Sequence, residues 1–205
     1  MNVRTSIICL AGILLFGCGR EPGPVADSQG SKFSEVPLSG AALGRCTLHG
    51  STNLMWEVKS NEPGLHDWRN SYSWFDPDES FGELDYRGTP DGGDCAGSDC
   101  DTWDFVRAVN TQSYCGFHDW RLPSRDELMS ISDLGKADTP PTIDTKYFPY
   151  AQAEEYWSAN DYSFQFNAAW VWSFRHGHDR VDWKKSPKFL RLVRGKAERL
   201  TPVKE

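Results

Sequence analysis

The sequence predicts an α+β fold: a single domain with two helices, long irregular loops and a C-terminal antiparallel sheet. Three observations carry this expectation. Apolar residues follow a helical period in two short segments of the middle third, they alternate with period two beyond residue 155, and almost everything between 59 and 99 is loop-like. The chain has 205 residues, 39% hydrophobic, with nine Trp, which suffices for one core of ordinary size and excludes a chain disordered throughout.

Residues 1–17 (MNVRTSIICLAGILLFG) combine a basic start at Arg4 with an apolar stretch too short to span a bilayer, the pattern of a secretory signal. Leu15-Phe16-Gly17-Cys18 resembles the lipobox of bacterial lipoproteins, in which the Cys thiol is acylated and the leader removed. Phe16 is bulkier than the usual residue there, and an ordinary signal peptide with an incidental Cys is the simpler alternative. Gly19, where inner-membrane lipoproteins usually carry Asp, points to the outer membrane of the cell envelope. The partner implied by Cys18 is a membrane, reached through lipid chains that add about 0.8 kcal/mol per buried methylene. Residues 18–44 then read as the lipidated Cys and a Gly-, Pro- and Ser-rich tether, 45–195 as the domain, and 196–205 as a polar tail.

Four Cys remain in the domain, Cys46, Cys95, Cys100 and Cys115, and in an exported chain they suggest two disulfides with three possible pairings. A helix over 101–110 would hold Cys100 and Cys115 on the order of 15 Å apart, whereas a disulfide needs Cα atoms near ~5.5 Å. The spacing therefore favours Cys95 with Cys100 and Cys46 with Cys115. A redox or copper-binding role for the Cys95 and Cys100 pair is the competing reading, without a His or Met beside it to support it.

Residues 46–57 (CTLHGSTNLMWE) look like a strand entering the core through Leu54, Met55 and Trp56. Trp103, Phe105, Val106 and Val109 suit a helix over 101–110, capped by Asp101 or Thr102. A second helix is expected from Ser124, because Ser124-Arg125-Asp126-Glu127 is a capping box, with Leu128, Met129 and Ile131 as its apolar side. Residues 156–159 and 169–174 read as strands, 175–179 as a turn, 180–183 as the return strand, and 189–194 (FLRLVR) as the last strand of the same sheet.

Gly116-Phe117-His118-Asp119-Trp120-Arg121-Leu122-Pro123-Ser124-Arg125-Asp126-Glu127-Leu128 is similar to the G-x-x-D-W-R-L-P-T-x-x-E-L signature of the Lcl C-terminal domain family, named for a bacterial collagen-like adhesin. Tyr156-Trp157-Ser158, the aromatic segment from Trp170 and Arg191-Leu192-Val193-Arg194-Gly195 follow in that family's order. Asn53-Leu54-Met55-Trp56 resembles its opening T-G-L-M-W, with Asn53 in place of the usual Gly. The resemblance implies a C-type-lectin-like fold, akin to sulfatase-modifying factors, on secreted or surface-anchored bacterial proteins. Some relatives are linked to sulfated polysaccharide. No catalytic set belongs to the family, and no Ser-His-Asp order, H-E-x-x-H or phosphate loop is visible, so a non-enzymatic domain is expected.

The candidate chemistry is that of binding. A net charge of −7 has the wrong sign for nucleic acid, leaving polysaccharide or an envelope protein as the expected partner beyond the membrane. Trp68, Trp74, Trp172 and Trp183 lie in loop or alternating segments, where exposed rings could stack on sugars; core packing is the simpler reading for each. Asp91, Asp94, Asp99 and Asp101 crowd one irregular stretch and offer oxygen ligands of the kind Ca²⁺ takes, yet they lack the D-x-D-x-D-G spacing and equally describe a solvated acidic loop. His176 and His178 could share one metal, although they lie in the turn read over 175–179. Arg175, Arg180, Lys184, Lys185 and Lys188 would form the only basic patch if they gathered around the last hairpin.

Overall fold

The computed structural model describes residues 32–38, 44–78 and 84–196. The leader, Cys18, most of the tether and nearly all of the polar tail lie outside these residues. The architecture is α+β, with two antiparallel sheets and two helices of more than one turn.

The opening segment folds into a hairpin of β2 (Cys46–His49) and β3 (Leu54–Glu57). Its turn needs a residue in the left-handed region, and Asn53 supplies it at φ 55°. Asn tolerates that conformation better than other side-chain-bearing residues, which accounts for its standing where the signature has Gly. β1 (Phe33–Glu35) adds antiparallel to β2, and β7 (Val193–Arg194) adds to β3, giving the order β1-β2-β3-β7. Strand structure thus reaches into the segment expected to be a tether as far as residue 44. The reason is Phe33, 5% exposed, whose ring packs 5.6 Å from Tyr147 and 5.1 Å from Phe148.

The long loop from 59 carries one helical turn, α1 (Leu84–Arg87), before α2 (Thr102–Thr111). Asp101 caps α2 as expected, accepting from the Asp104 N–H at 2.9 Å. Phe105 and Val109 are buried, while Trp103 faces outward at 41% exposure. At about 100° per residue, Trp103 lies across the helix from those two side chains.

α3 (Arg125–Ser130) begins at the expected capping box, with both reciprocal bonds between Ser124 and Glu127 present. Glu127 also takes a bidentate pair from Arg121, at 2.7 and 2.8 Å. The signature therefore fixes the path of the chain onto α3 while Trp120 is buried and donates to the Tyr114 carbonyl at 2.9 Å. Leu128 and Ile131 face the core but Met129 is half exposed, since successive helical residues point about 100° apart. Ser124→Ala is expected to lower the unfolding free energy by about 1 kcal/mol. An unchanged urea midpoint would show the capping box to be idle.

The second sheet is β4 (Glu155–Asp161), β5 (Ala168–Ser173) and β6 (His178–Trp183), in that order, with β4 irregular between Trp157 and Asp161. The expectation for 189–194 needs correction, because this segment is not a strand of that sheet. Phe189 bridges to Tyr156, then the chain crosses so that Val193 and Arg194 pair with Trp56 and Met55. Glu57 directs the crossing: its main-chain N–H donates to the Leu192 carbonyl at 3.0 Å, and its carboxylate accepts from the Leu192 N–H at 2.9 Å.

Both disulfides have the pairing the spacing favours, Cys46 with Cys115 and Cys95 with Cys100, at Cα separations of 6.5 and 5.5 Å. Three buried indoles, those of Trp157, Trp74 and Trp172, act as rivets between the core and irregular chain, whereas the Trp56 indole N–H is buried without a partner among the described residues. Trp157 donates to the Tyr72 carbonyl at 2.8 Å, Trp74 to Ser158 at 3.0 Å, and Trp172 to the Ser132 hydroxyl at 2.7 Å. Each of these three satisfies its own N–H and a group on a distant segment.

Candidate functional site

The sharpest candidate is a groove at the free edge of the second sheet. β6 is an edge strand with no fully buried residue until the chain reaches Lys184, so Trp183 stands 44% exposed. Opposite it in register is Ala168, whose small side chain leaves space above the strand. The other wall is the backbone after α1. Gly88, at φ 94°, passes so close to the Trp74 carbonyl that a Cβ there would stand only 2.2 Å from its oxygen, so this approach requires glycine. The resulting groove of about 330 Å³ is lined by Gly88, Thr89, Asn167, Trp183, Lys184 and Lys185.

Its electrostatics are nearly balanced. Lys184 is buried and its ammonium is held by Asp161 at 2.5 Å and the Tyr86 carbonyl at 2.5 Å, over the Trp74 ring at 4.3 Å. Lys185 is exposed and makes no ion pair among the described residues. The Asn167 side-chain oxygen is buried and has no hydrogen-bond partner among the described residues, while the Asn167 main-chain carbonyl accepts from the Lys184 N–H at 2.8 Å. Next to the groove, Tyr86 and Phe166 pack ring to ring at 4.7 Å, and Phe164 on the β4–β5 loop is 88% exposed.

A second groove, of about 340 Å³, lies where the signature meets α2, between Phe75, Trp103, Val106 and Leu122, with Asp76 and Arg121 at its margin. Trp103 was not distinguishable as a surface residue by composition, but its offset from Phe105 on the helical wheel carries that signal.

The four Trp selected from the sequence separate cleanly. Trp183 lines the first groove. Trp74 and Trp172, at 2% and 4% exposure, are core residues and cannot stack on a ligand, a correction that follows from their hydrogen bonds to distant segments. Trp68 is half-buried, bonded to Asn61 at 2.8 Å, with Arg69 over its ring at 5.6 Å.

The Asp-rich stretch is organised by its own chain. Asp101 is buried and its carboxylate takes the N–H groups of Asp104 and Asp91; Asp91 in turn accepts from the Cys100 N–H at 2.9 Å. Asp94 pairs through its main chain with Ser71, and Asp99 is exposed. Among the described residues no group of three or more His, Cys, Asp or Glu side chains is placed to hold a metal ion. The Ca²⁺ expectation thus loses Asp91 and Asp101 to structural roles. His176 and His178 stack at 5.7 Å without a third such ligand.

The basic hairpin does not gather into a patch. Arg180 and Lys188 are both paired with Glu155 and Asp182, at 2.6 to 3.0 Å, and Lys184 is taken by Asp161. The pairing lowers the Asp182 carboxyl and raises the Lys188 ammonium against the opposing effect of burial.

Fold and site together define a small, disulfide-bonded α+β domain whose surface grooves are lined by aromatic side chains. The chain belongs to the Lcl C-terminal domain family, which it matches over residues 45–194. That family is one of bacterial surface-associated domains. No curated protein and no solved structure matches the chain.

Proposed function

We propose that the chain is a bacterial envelope lipoprotein, anchored through Cys18, whose domain binds a glycan or a protein at the cell surface without catalysing a reaction. The observation that carries this reading is the Trp183 groove, an exposed indole beside an amide, a hydroxyl and an ammonium, the combination by which proteins hold sugar rings. Family membership supports a surface location. The closing of one sheet by strands from both ends of the domain supports the C-type-lectin-like reading of the fold.

An assembly role through a protein contact is the second reading, favoured by the exposed Phe164 with Tyr86 and Phe166.

A glycan-array screen of the oxidised protein, with Ca²⁺ and with chelator, tests the first reading. Binding is expected to survive chelation and to weaken at least tenfold in Trp183→Ala. Binding that Trp183→Ala leaves intact would remove the groove from the account, and an empty array would transfer the weight to the protein-contact reading. Radiolabelled palmitate should enter the protein and fail to enter Cys18→Ser; labelling of both would contradict the anchor.

A further inference from the structure

We infer that the free edge of β6 is a self-association surface, on which a second copy of this chain pairs antiparallel about a two-fold axis at Val181. Such pairing does not depend on what the Trp183 groove binds.

The main chain of β6 shows which of its groups are free. The Ala168 N–H donates to the Gln165 carbonyl and the Ala168 carbonyl accepts from Tyr162, so both are turned to the β4 side. Hydrogen-bonding groups alternate along an antiparallel pair. With Ala168 opposite Trp183 in register, residues 178, 180 and 182 therefore bond β5, whereas Asp179, Val181 and Trp183 turn their main chain outward. No strand pairs with that edge among the described residues. Some of its groups are already held: the Asp179 carbonyl by His178 Nδ1 at 3.0 Å, the Trp183 N–H by the Asp182 carboxylate at 2.7 Å, and the Trp183 carbonyl by the Ser186 N–H at 2.8 Å. The Asp179 N–H and both main-chain groups of Val181 have no partner among the described residues. An exposed row of this kind is a template for another strand.

The side chains choose the strand and its register. Charge of one sign along an edge repels a copy of that edge, but β6 carries both signs, Arg180 and Asp182, two positions apart. A two-fold axis at Val181 sets Val181 against itself and Arg180 against Asp182 on both sides. Moving the axis one residue toward His178 opposes Arg180 to Arg180, and one residue toward Trp183 opposes Asp182 to Asp182. Like charges directly opposite are destabilising, so the axis at Val181 is selected. In that register the two Val181 residues exchange N–H and carbonyl, and each Asp179 N–H meets a Trp183 carbonyl, which has a second lone pair to offer. Arg180 is half exposed and its Nη1 has no partner among the described residues, so it reaches the second copy's carboxylate while keeping Glu155. The contact uses the same patch on both copies and closes at two. It also brings Asp179 of the second copy opposite Trp183, at the rim of the groove.

Sedimentation equilibrium of the oxidised protein carrying Cys18→Ser, which holds no lipid, tests this up to about 1 mM. A reversible dimer is expected. Val181→Pro removes an outward N–H and no bond to β5, a place where an edge strand tolerates proline, and should raise the dissociation constant at least tenfold. Arg180→Asp opposes two carboxylates and should do the same. Mixing Arg180→Asp with Asp182→Arg should restore association, because each charge then meets its opposite across the axis. An amide spectrum like that of the parent marks each variant as folded, and should Val181→Pro fail this, the charge variants decide. A chain that stays monomeric throughout overturns the inference and leaves the edge to a strand of a different protein. A dimer that neither Val181→Pro nor Arg180→Asp weakens overturns it as well, since the contact then lies elsewhere. Loss in Arg180→Asp without recovery in the mixture overturns the axis at Val181.

Discussion

Glu57→Gln is expected to lower the unfolding free energy by about 3–5 kcal/mol, the cost of leaving buried charges without their partner. Glu57 is fully buried, with Lys59 at 2.8 Å and the His66 imidazole at 2.7 Å on one oxygen and the Leu192 N–H at 2.9 Å on the other. Arg191, also fully buried, bonds the Glu57 carbonyl at 2.6 Å. Burial alone would raise the Glu57 carboxyl. The charge of Lys59 and the bond and charge of His66 outweigh it and hold the group at about 2. A carboxyl depressed in this way stabilises the fold fully above its unfolded value near 4.5, and the contribution is lost as pH falls toward 2. Urea unfolding of the native protein should therefore show a midpoint that drops steeply below pH 4.5, while Glu57→Gln is less stable at pH 7 and flatter in acid. Pairing Glu57→Gln with Lys59→Met should restore part of the loss, since the stranded ammonium goes with it. Equal stability of native and Glu57→Gln protein at pH 7 would show that the network contributes nothing.

The second large effect concerns the disulfides, which close loops of very different length. Cys46 and Cys115 are separated by 69 positions, Cys95 and Cys100 by 5. By loop-closure entropy the long bridge stabilises by roughly 4 kcal/mol and the short one by roughly 2. The Cys46→Ala/Cys115→Ala double variant should thus lose about twice the unfolding free energy of Cys95→Ala/Cys100→Ala. Equal losses would mean that the short bridge holds native contacts beyond its own loop.

What the sequence revealed was what neighbouring residues decide. The capping box at Ser124 is complete within four residues, and the Asp101 cap within a similar span, so both helices start where the local pattern places them. The hairpin of β5 and β6 likewise follows from alternation and a short turn. Partners far apart in the chain were not legible. Residues 189–194 alternate like a hairpin strand, but whether they pair with β6 or with β3 is decided by Glu57, over 130 positions earlier, through its bond to Leu192. The same limit applies to the indoles. Trp74 and Trp183 both stand in polar surroundings along the chain, and only the distant Ser158 carbonyl makes one of them a core residue. The groove inherits this property, since Asn167, Gly88 and Trp183 come from three separate segments.

The Cys46–Cys115 bridge also sets how the molecule responds to mechanical load. A pull on the chain ahead of Phe33 first meets the three residue pairs between β1 and β2. Those can peel apart one at a time. At Cys46 the force passes into a covalent bond and from there to Cys115, past the rest of the first sheet. Unravelling from that side therefore stops after one short strand, and β5, β6 and Trp183 keep their arrangement under tension that would strip a purely hydrogen-bonded edge.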